Sequence, residues 1–182
     1  MGLLGSGVLL WSLAHLMKRV VPGWRSRLGS AGRPLVAVSI VLSVVLMILG
    51  YQPAEGPIWW ARQSTLVGIN NLLVLVSFYI IAASIIGARI SRFIRHPQLT
   101  TIKLWAVAHL LVNGDLASLT LFGGLLIWAV LAVILINRQE EPPVREQGPI
   151  AWAREVGALS AAIVIYGLVG YVHGWLGYPV HG

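Results

Sequence analysis

Six apolar segments dominate the sequence and constrain its fold more than any other feature. They cover residues 2–20, 34–51, 64–86, 98–113, 115–136 and 156–176. A membrane-spanning helix needs about 20 mostly apolar residues. The second, third, fifth and sixth segments satisfy this requirement clearly, whereas the first and fourth are short and carry polar residues. The sequence therefore predicts an all-α fold, a polytopic integral membrane bundle of about six transmembrane helices.

The composition agrees with this prediction. Hydrophobic residues make up 57% of the 182-residue chain and charged residues 10%, whereas a soluble domain carries about 25% charged residues. This excludes a soluble enzyme, a secreted disulfide scaffold and a disordered chain. The chain has no cysteine, so disulfides, cysteine-ligated zinc or iron–sulfur sites and covalently attached haem are excluded as well. A metal or haem would have to be held by His, carboxylate or Met.

The positive charges lie on alternate connections between the apolar segments. Twelve of the thirteen Lys and Arg residues fall in residues 18–33, 87–103 and 137–155, and Arg62 is the exception. Because cytoplasmic loops are enriched in Lys and Arg, these three connections are predicted to be cytoplasmic and both termini to be outside. The net charge of +7 has the same explanation and does not indicate nucleic-acid binding.

Two further expectations concern the ends and the domain organisation. The charges next to the first apolar segment, Lys18 and Arg19, follow it instead of preceding it, unlike in a signal peptide. We therefore expect this segment to be a retained helix. Residues 137–155 contain Pro142, Pro143 and several charges and are predicted to be a flexible cytoplasmic linker. Because no piece outside the membrane can bury a core, residues 1–182 are predicted to form a single domain.

Four of the five histidines lie in or beside apolar segments, at positions 15, 96, 109 and 173. An imidazole inside a membrane usually hydrogen-bonds to a neighbouring helix or contributes to a functional site. Hydrogen bonding is favoured for His96, which lies at a basic boundary. Ligand binding is favoured for His15 and His109, which lie deeper, and both interpretations stay open for His173.

Two polar groups lie between apolar segments. Asn113, Gly114 and Asp115 are typical of a tight turn in which Asp115 caps the next helix, although Asp115 could also orient His109. Arg62 follows two tryptophans that are typical of a membrane interface. It is interpreted either as a surface anchor or as the partner of an anion, such as a haem propionate or a lipid phosphate.

The stretch from Arg95 to Gly124, RHPQLTTIKLWAVAHLLVNGDLASLTLFGG, resembles the NnrU family. The characteristic run of that family is R-H-P, then a Trp, then A-H-L-L-x-N-G-D-L-A-S. The resemblance extends to the first segment with His15, to W-A-R at Trp60–Arg62 and to H-G-W-L-G at His173–Gly177. It implies a multi-pass protein of the bacterial inner membrane that is associated with denitrification. The lipid bilayer is then an expected partner, and a larger membrane protein complex is a second candidate.

The resemblance also implies a cofactor. Plant zeta-carotene isomerase is similar to this family and uses a non-covalent haem b held by histidines. Matching the motifs implies that His15 and His109 ligate the haem iron. Ala106 stands where the isomerase has a Cys, so a thiol ligand is not available. Residues implied to orient these imidazoles or to bind the propionates are Asp115, Asn113, Arg62 and His96.

A depth comparison complicates this ligand pair. His15 lies near the cytoplasmic end of the first segment and His109 near the outer end of the fourth. At 1.5 Å per residue their depths differ by on the order of 10–13 Å. By depth alone His109 pairs better with His173, which is therefore the substitute ligand.

Three functions remain open at this stage. The first is haem-dependent isomerisation or redox chemistry on an apolar substrate. The second is a non-catalytic accessory or assembly subunit of a respiratory or photosynthetic membrane complex. The third is a relic of a membrane methyltransferase, because the R-H-P start is similar to that of isoprenylcysteine-type enzymes, but their C-terminal acidic and arginine motif is not found.

Overall fold

The computed structural model describes residues 1–142, 148–149 and 151–180, and the regular structure in these ranges is helical. This part of the chain contains seven helices: α1 (Gly2–Val20), α2 (Pro22–Arg27), α3 (Gly32–Tyr51), α4 (Ser64–Ile86), α5 (Pro97–Val112), α6 (Leu116–Gln139) and α7 (Trp152–Trp175). The predicted all-α class is confirmed. Each of the six predicted segments corresponds to one of the long helices, and α2 is a short addition.

Local sequence signals set the ends of several helices. Pro97 begins α5, because its fixed φ suits the first turn and its missing N–H has no helical partner there. Asp115 precedes α6, and its Oδ1 accepts a hydrogen bond from the Ser118 N–H at 2.8 Å. The predicted N-cap is therefore confirmed. Gly87 ends α4 with a φ of 77°, a conformation that glycine adopts without steric cost.

Four helices in the described part of the chain are long and apolar enough to cross a membrane. They are Gly29–Tyr51, which includes α3, and Ser64–Ile86, Leu116–Gln139 and Trp152–Trp175. These are the four segments that satisfied the length requirement clearly in the sequence. α5 has 16 residues and is about 24 Å long, shorter than a hydrocarbon core of about 30 Å. α1 carries Lys18 and Arg19 in its last turn. Four spanning candidates are therefore fewer than the predicted six.

The connection between α6 and α7 is shorter than predicted. α6 continues to Gln139 and α7 begins at Trp152, so both helices extend into residues 137–155. Arg138 lies in the last turn of α6 and Glu155 in the first turn of α7, where their charges interact favourably with the helix dipoles. Composition did not reveal these polar helical turns. Residues 143–147 and 150 of the predicted linker lie outside the described residues.

The long helices contact one another in the order α3, α1, α6, α5, α4 and α7. The contact between α1 and α3 is close because glycines lie in it. A Cβ on Gly7 would lie 2.8 Å from Met47 Cγ, and one on Gly50 would collide with the Leu4 backbone. Large apolar side chains outside the contacts are exposed, for example Trp152 at 83% and Ile85 at 81%. Such faces require an apolar solvent, which agrees with a lipid bilayer environment.

The three cation-poor connections meet at one end of the bundle, called here the cation-poor end. It comprises residues 52–63, 113–115 and 176–180. The Trp59 N–H donates to the Gly114 carbonyl at 2.8 Å, and Arg62 Nη2 donates to the Pro179 carbonyl at 3.0 Å. The alternation of cation-rich and cation-poor connections in the sequence therefore corresponds to two distinct ends.

The opposite, cation-rich end is joined by arginine contacts. Arg19 at the end of α1 forms an ion pair with Glu140 at 2.6 Å, and Arg95 Nη2 donates to the Glu140 carbonyl, also at 2.6 Å. The Arg19 guanidinium lowers the pKa of the Glu140 carboxyl below its usual range. These contacts connect α1 and the segment before α5 to the end of α6.

Candidate functional site

A cavity of about 400 Å³ lies at the cation-poor end. Small-molecule and cofactor sites typically enclose roughly 300–1,000 Å³, so its size suits a cofactor or small ligand. Four predicted site residues line it: His109, Asn113, Arg62 and His173. The other lining residues used below are Tyr51, Trp105, Val112, Phe122, Pro179 and Val180. The structure thus brings together parts of α3, α5, α6 and α7 that are far apart in sequence.

In both His109 and His173, Nδ1 is hydrogen-bonded and Nε2 is left for further contacts. His109 Nδ1 lies 2.9 Å from the Trp105 carbonyl, and His173 Nδ1 lies 2.8 Å from the Val169 carbonyl. A carbonyl can only accept a hydrogen bond, so Nδ1 is the protonated nitrogen in each neutral ring. Nε2 therefore keeps its lone pair in both rings. A backbone carbonyl on Nδ1 is the arrangement that fixes metal-ligating imidazoles.

Aromatic rings form the wall beside His109. The Phe122 ring centroid lies 4.6 Å from that of His109 and 5.0 Å from that of Trp105. Phe122 belongs to a π-helical turn, Leu119–Gly123, that interrupts α6. Single π turns occur frequently at functional sites. This wall offers flat apolar surface, and a planar ligand could lie against it.

A chain of hydroxyl groups connects the cavity to Asp115. Tyr51 lines the cavity, and its hydroxyl lies 2.9 Å from Ser118 Oγ. Ser118 Oγ is fully buried and donates to Asp115 Oδ2 at 2.7 Å. Because the single hydroxyl hydrogen of Ser118 goes to Asp115, the Tyr51 hydroxyl must donate to Ser118. Asp115 itself does not line the cavity, but it orients a tyrosine that does.

The loop before α4 is packed onto residues 113–115. Trp60 Nε1 donates to the Leu110 carbonyl at 3.0 Å. The Trp60 ring lies over Gly114, where a Cβ would be 2.5 Å from ring atoms. Residues 113–115 connect α5 to α6, but Asn113 and Asp115 have extended backbone dihedrals and not those of the predicted tight turn. Glycine is required at position 114 by the close approach of Trp60. The packing holds the loop that carries Arg62 at the rim of the cavity.

His15 is not among the residues that line this cavity. Its ring packs against Trp11 and Trp128, with centroid distances of 4.1 and 5.0 Å. The indole Nε1 atoms of both tryptophans are buried and have no hydrogen-bond partner within the described ranges. Trp128 lies six residues after Phe122 on α6, a rise of about 9 Å. His15 and His109 therefore contact α6 at different levels, in agreement with the depth comparison.

His96 lies at the cation-rich end, away from the cavity. Its Nε2 lies 2.8 Å from Asn137 Oδ1 of α6. The interpretation of His96 as a hydrogen-bonding partner of a neighbouring helix is confirmed. In residues 1–142, 148–149 and 151–180, no group of three or more His, Asp or Glu side chains could hold a metal ion.

Sequence reasoning missed several residues of the site. Tyr51 and Phe122 lie on different helices from His109, and no local spacing connects them to it. Ser118 could have been found, because it follows Asp115 by three residues and so lies where an N-cap side chain accepts its hydrogen bond. Apart from the H-G-W-L-G motif, nothing in the sequence indicates that residues 176–180 contribute to the site.

The helices and the cavity define a membrane protein with two histidines at one end of its bundle. The model of the family described as NnrU protein matches residues 3–180. The chain belongs to the NnrU family, and the resemblance noted in the sequence is confirmed. No curated protein and no solved structure matches the chain.

Proposed function

We propose that this NnrU-family protein binds haem b in the cavity at the cation-poor end, with His109 and His173 as iron ligands. The observation that carries the proposal is that both imidazoles line one cavity with Nδ1 bonded to a backbone carbonyl. Neutral imidazole nitrogen is a common haem ligand. In this pair His173 replaces His15 as the partner of His109, because His15 packs between tryptophans elsewhere.

The remaining lining residues suit the rest of a haem. Trp105 and Phe122 supply flat apolar surface, and Arg62 supplies a cation for a carboxylate. Tyr51 and Asn113 add polar groups at the same cavity. A bound haem would supply an iron centre for redox or isomerisation chemistry on an apolar substrate. The protein's part is to hold the ring, neutralise its carboxylates and limit the access of water.

The absorption spectrum of the purified protein tests this proposal. Expressed with ample haem, the wild type should show a sharp Soret band and split visible bands on reduction. His109→Ala and His173→Ala should each abolish this low-spin spectrum or convert it to a high-spin form. His15→Ala and the control His96→Gln should leave it unchanged.

Two outcomes would overturn parts of the proposal. Loss of the low-spin spectrum in His15→Ala, with His173→Ala unaffected, would restore the ligand pair that the family resemblance implied. A wild type without a Soret band would remove haem altogether. The alternative of an accessory or assembly subunit would then be preferred, with the histidines acting as hydrogen-bond partners within the bundle.

We also propose that all six long helices insert in the membrane, with the cation-rich end in the cytoplasm. α5 lies between α4 and α6, and its Ala106 and Ala108 are fully buried. Because α5 is packed between these two helices, it should insert in the membrane together with them. The positive-inside rule supports the orientation. In this proposed orientation the cavity lies at the outer, periplasmic side of a bacterial inner membrane.

Cysteine labelling tests the orientation cleanly, because the chain has no cysteine. Glu55 at the cation-poor end and Glu141 at the cation-rich end are both exposed. In spheroplasts, Glu55→Cys should react with a membrane-impermeant maleimide, and Glu141→Cys should react only after lysis. Labelling of both variants before lysis would contradict the six-helix topology.

A further inference from the structure

Residues 176–180, called here the strap, fold back over the cation-poor end after α7. The reversal occurs at Gly177, whose φ is 88°. The Tyr178 N–H donates to the His173 carbonyl at 2.8 Å. A residue with a Cβ would be strained at Gly177, so the chain is suited to reverse at this point. The strap is thereby attached directly to the helix turn that carries His173.

Two side chains from outside α7 hold the strap. Arg62 Nη2 donates to the Pro179 carbonyl at 3.0 Å, and Asn71 Nδ2 donates to the Val180 carbonyl at 3.1 Å. Both acceptors are neutral backbone carbonyls. Neither bond joins two opposite charges, and neither is part of a helix. The strap is therefore held by contacts that separate without unfolding a helix.

The strap is also the wall between two spaces. Pro179 and Val180 line the cavity described above and also a second groove of about 250 Å³ on α7. The other residues of that groove are Tyr166, Gly167, Gly170, Tyr171 and Gly174. Tyr171 is 75% exposed on a helix long and apolar enough to span a membrane. The groove therefore opens towards the lipid, and the strap closes it off from the cavity.

Arg62 is the residue through which the charge of a ligand could affect the position of the strap. It lines the cavity and holds the Pro179 carbonyl at the same time. A carboxylate offers the guanidinium an opposite charge and two parallel hydrogen bonds, neither of which a neutral backbone carbonyl can supply. A ligand with an anionic group would therefore draw Arg62 away from the strap.

We propose that the strap is a gate between the cavity and the lipid-facing groove on α7, and that it admits an apolar ligand with an anionic group from the membrane. Separation of the Arg62 and Asn71 contacts opens the gate. The body of the ligand enters along the glycine-lined groove, and its anionic group pairs with Arg62. Haem, with its anionic propionates, belongs to this class of ligand, but the gate itself can be tested in the haem-free protein.

A single cysteine inside the cavity reports on the gate. Val112 lines the cavity, is 6% exposed and lies outside the proposed ligand set. In proteoliposomes, Val112→Cys should react slowly with the membrane-permeant reagent N-ethylmaleimide. Adding Arg62→Gln or Asn71→Ala should raise its reaction rate roughly three- to tenfold, because each change removes one strap contact.

A matched reporter separates gate opening from general loosening. Val74 of α4 is equally buried, at 8% exposure, and is not a lining residue of either space. The rate of Val74→Cys should be the same with and without Arg62→Gln. An unchanged rate at Val112→Cys would overturn the gate, and so would an equal rise at both reporters. Neither result depends on the Soret band that tests the haem proposal.

Discussion

Gly114→Ala tests whether the packing of the loop on residues 113–115 holds the site together. A Cβ at this position would lie 2.5 Å from Trp60 ring atoms, about 0.9 Å short of the 3.4 Å at which ordinary contacts begin. Trp60 cannot move freely, because its Nε1 donates to the Leu110 carbonyl. Overpacking typically costs about 1–3 kcal/mol, and losing the indole hydrogen bond about 1 kcal/mol more. We therefore expect a loss of about 2–4 kcal/mol in unfolding free energy.

The assay is reversible unfolding in detergent micelles, followed by helical circular dichroism. Gly68→Ala is the matched control, because nothing lies within 4 Å of a Cβ at Gly68 in α4. In a helix interior this change should be neutral or stabilising by up to about 1 kcal/mol. If Gly114→Ala proves as stable as Gly68→Ala, Trp60 does not pack on Gly114 as described. The rim position assigned to Arg62 would then lose its support.

Three further changes test the cap, the cation at the cavity and the ion pair at the opposite end. Asp115→Ala should cost about 2 kcal/mol in the same unfolding assay, because it removes the N-cap bond and the acceptor of the buried Ser118 hydroxyl; a cost near 1 kcal/mol would mean that only capping matters. Arg62→Gln should weaken binding of haem b by roughly tenfold, or about 1.4 kcal/mol, but not binding of haem dimethyl ester, which has no free carboxylate; equal weakening of both would argue against a propionate contact. The Arg19 ion pair keeps the folded-state pKa of Glu140 below its unfolded value, so its stabilisation is present above that unfolded value and is lost as pH falls through the folded pKa. The wild type should therefore melt above Glu140→Gln at neutral pH but not in acid, and a difference that persists in acid would contradict this.

Much of the fold could be predicted from the sequence because its signals are local. The lengths of the apolar segments predicted all six long helices. The distribution of Lys and Arg predicted which connections lie together at each end of the bundle. The start of α5 at Pro97 and the cap at Asp115 also follow from neighbouring residues alone. Residues at the ends of α6 and α7 were predicted less well, because polar side chains such as Arg138 can continue a helix beyond the apolar region.

The candidate site could be predicted only in part, because it depends on which helices are neighbours. Histidines in apolar segments were recognisable as site candidates from residue type alone. The contact of His109 with Phe122 was not, since it requires α5 to lie against α6. The π turn that carries Phe122 and the strap with its contact to Arg62 also depend on tertiary packing. Hydrophobic periodicity carries no information about either feature.

The order of the helices explains why motif matching and depth gave different partners for His109. Motif matching compares residues without regard to their level in the membrane, and it pairs His109 with His15 on α1. In the bundle α6 lies between α1 and α5, and it contacts His15 through Trp128 and His109 through Phe122. These two contacts are separated by about 9 Å along α6. His173 approaches instead from α7 at the level of the cavity itself, so a ligand that lies between two imidazoles at one depth requires His173.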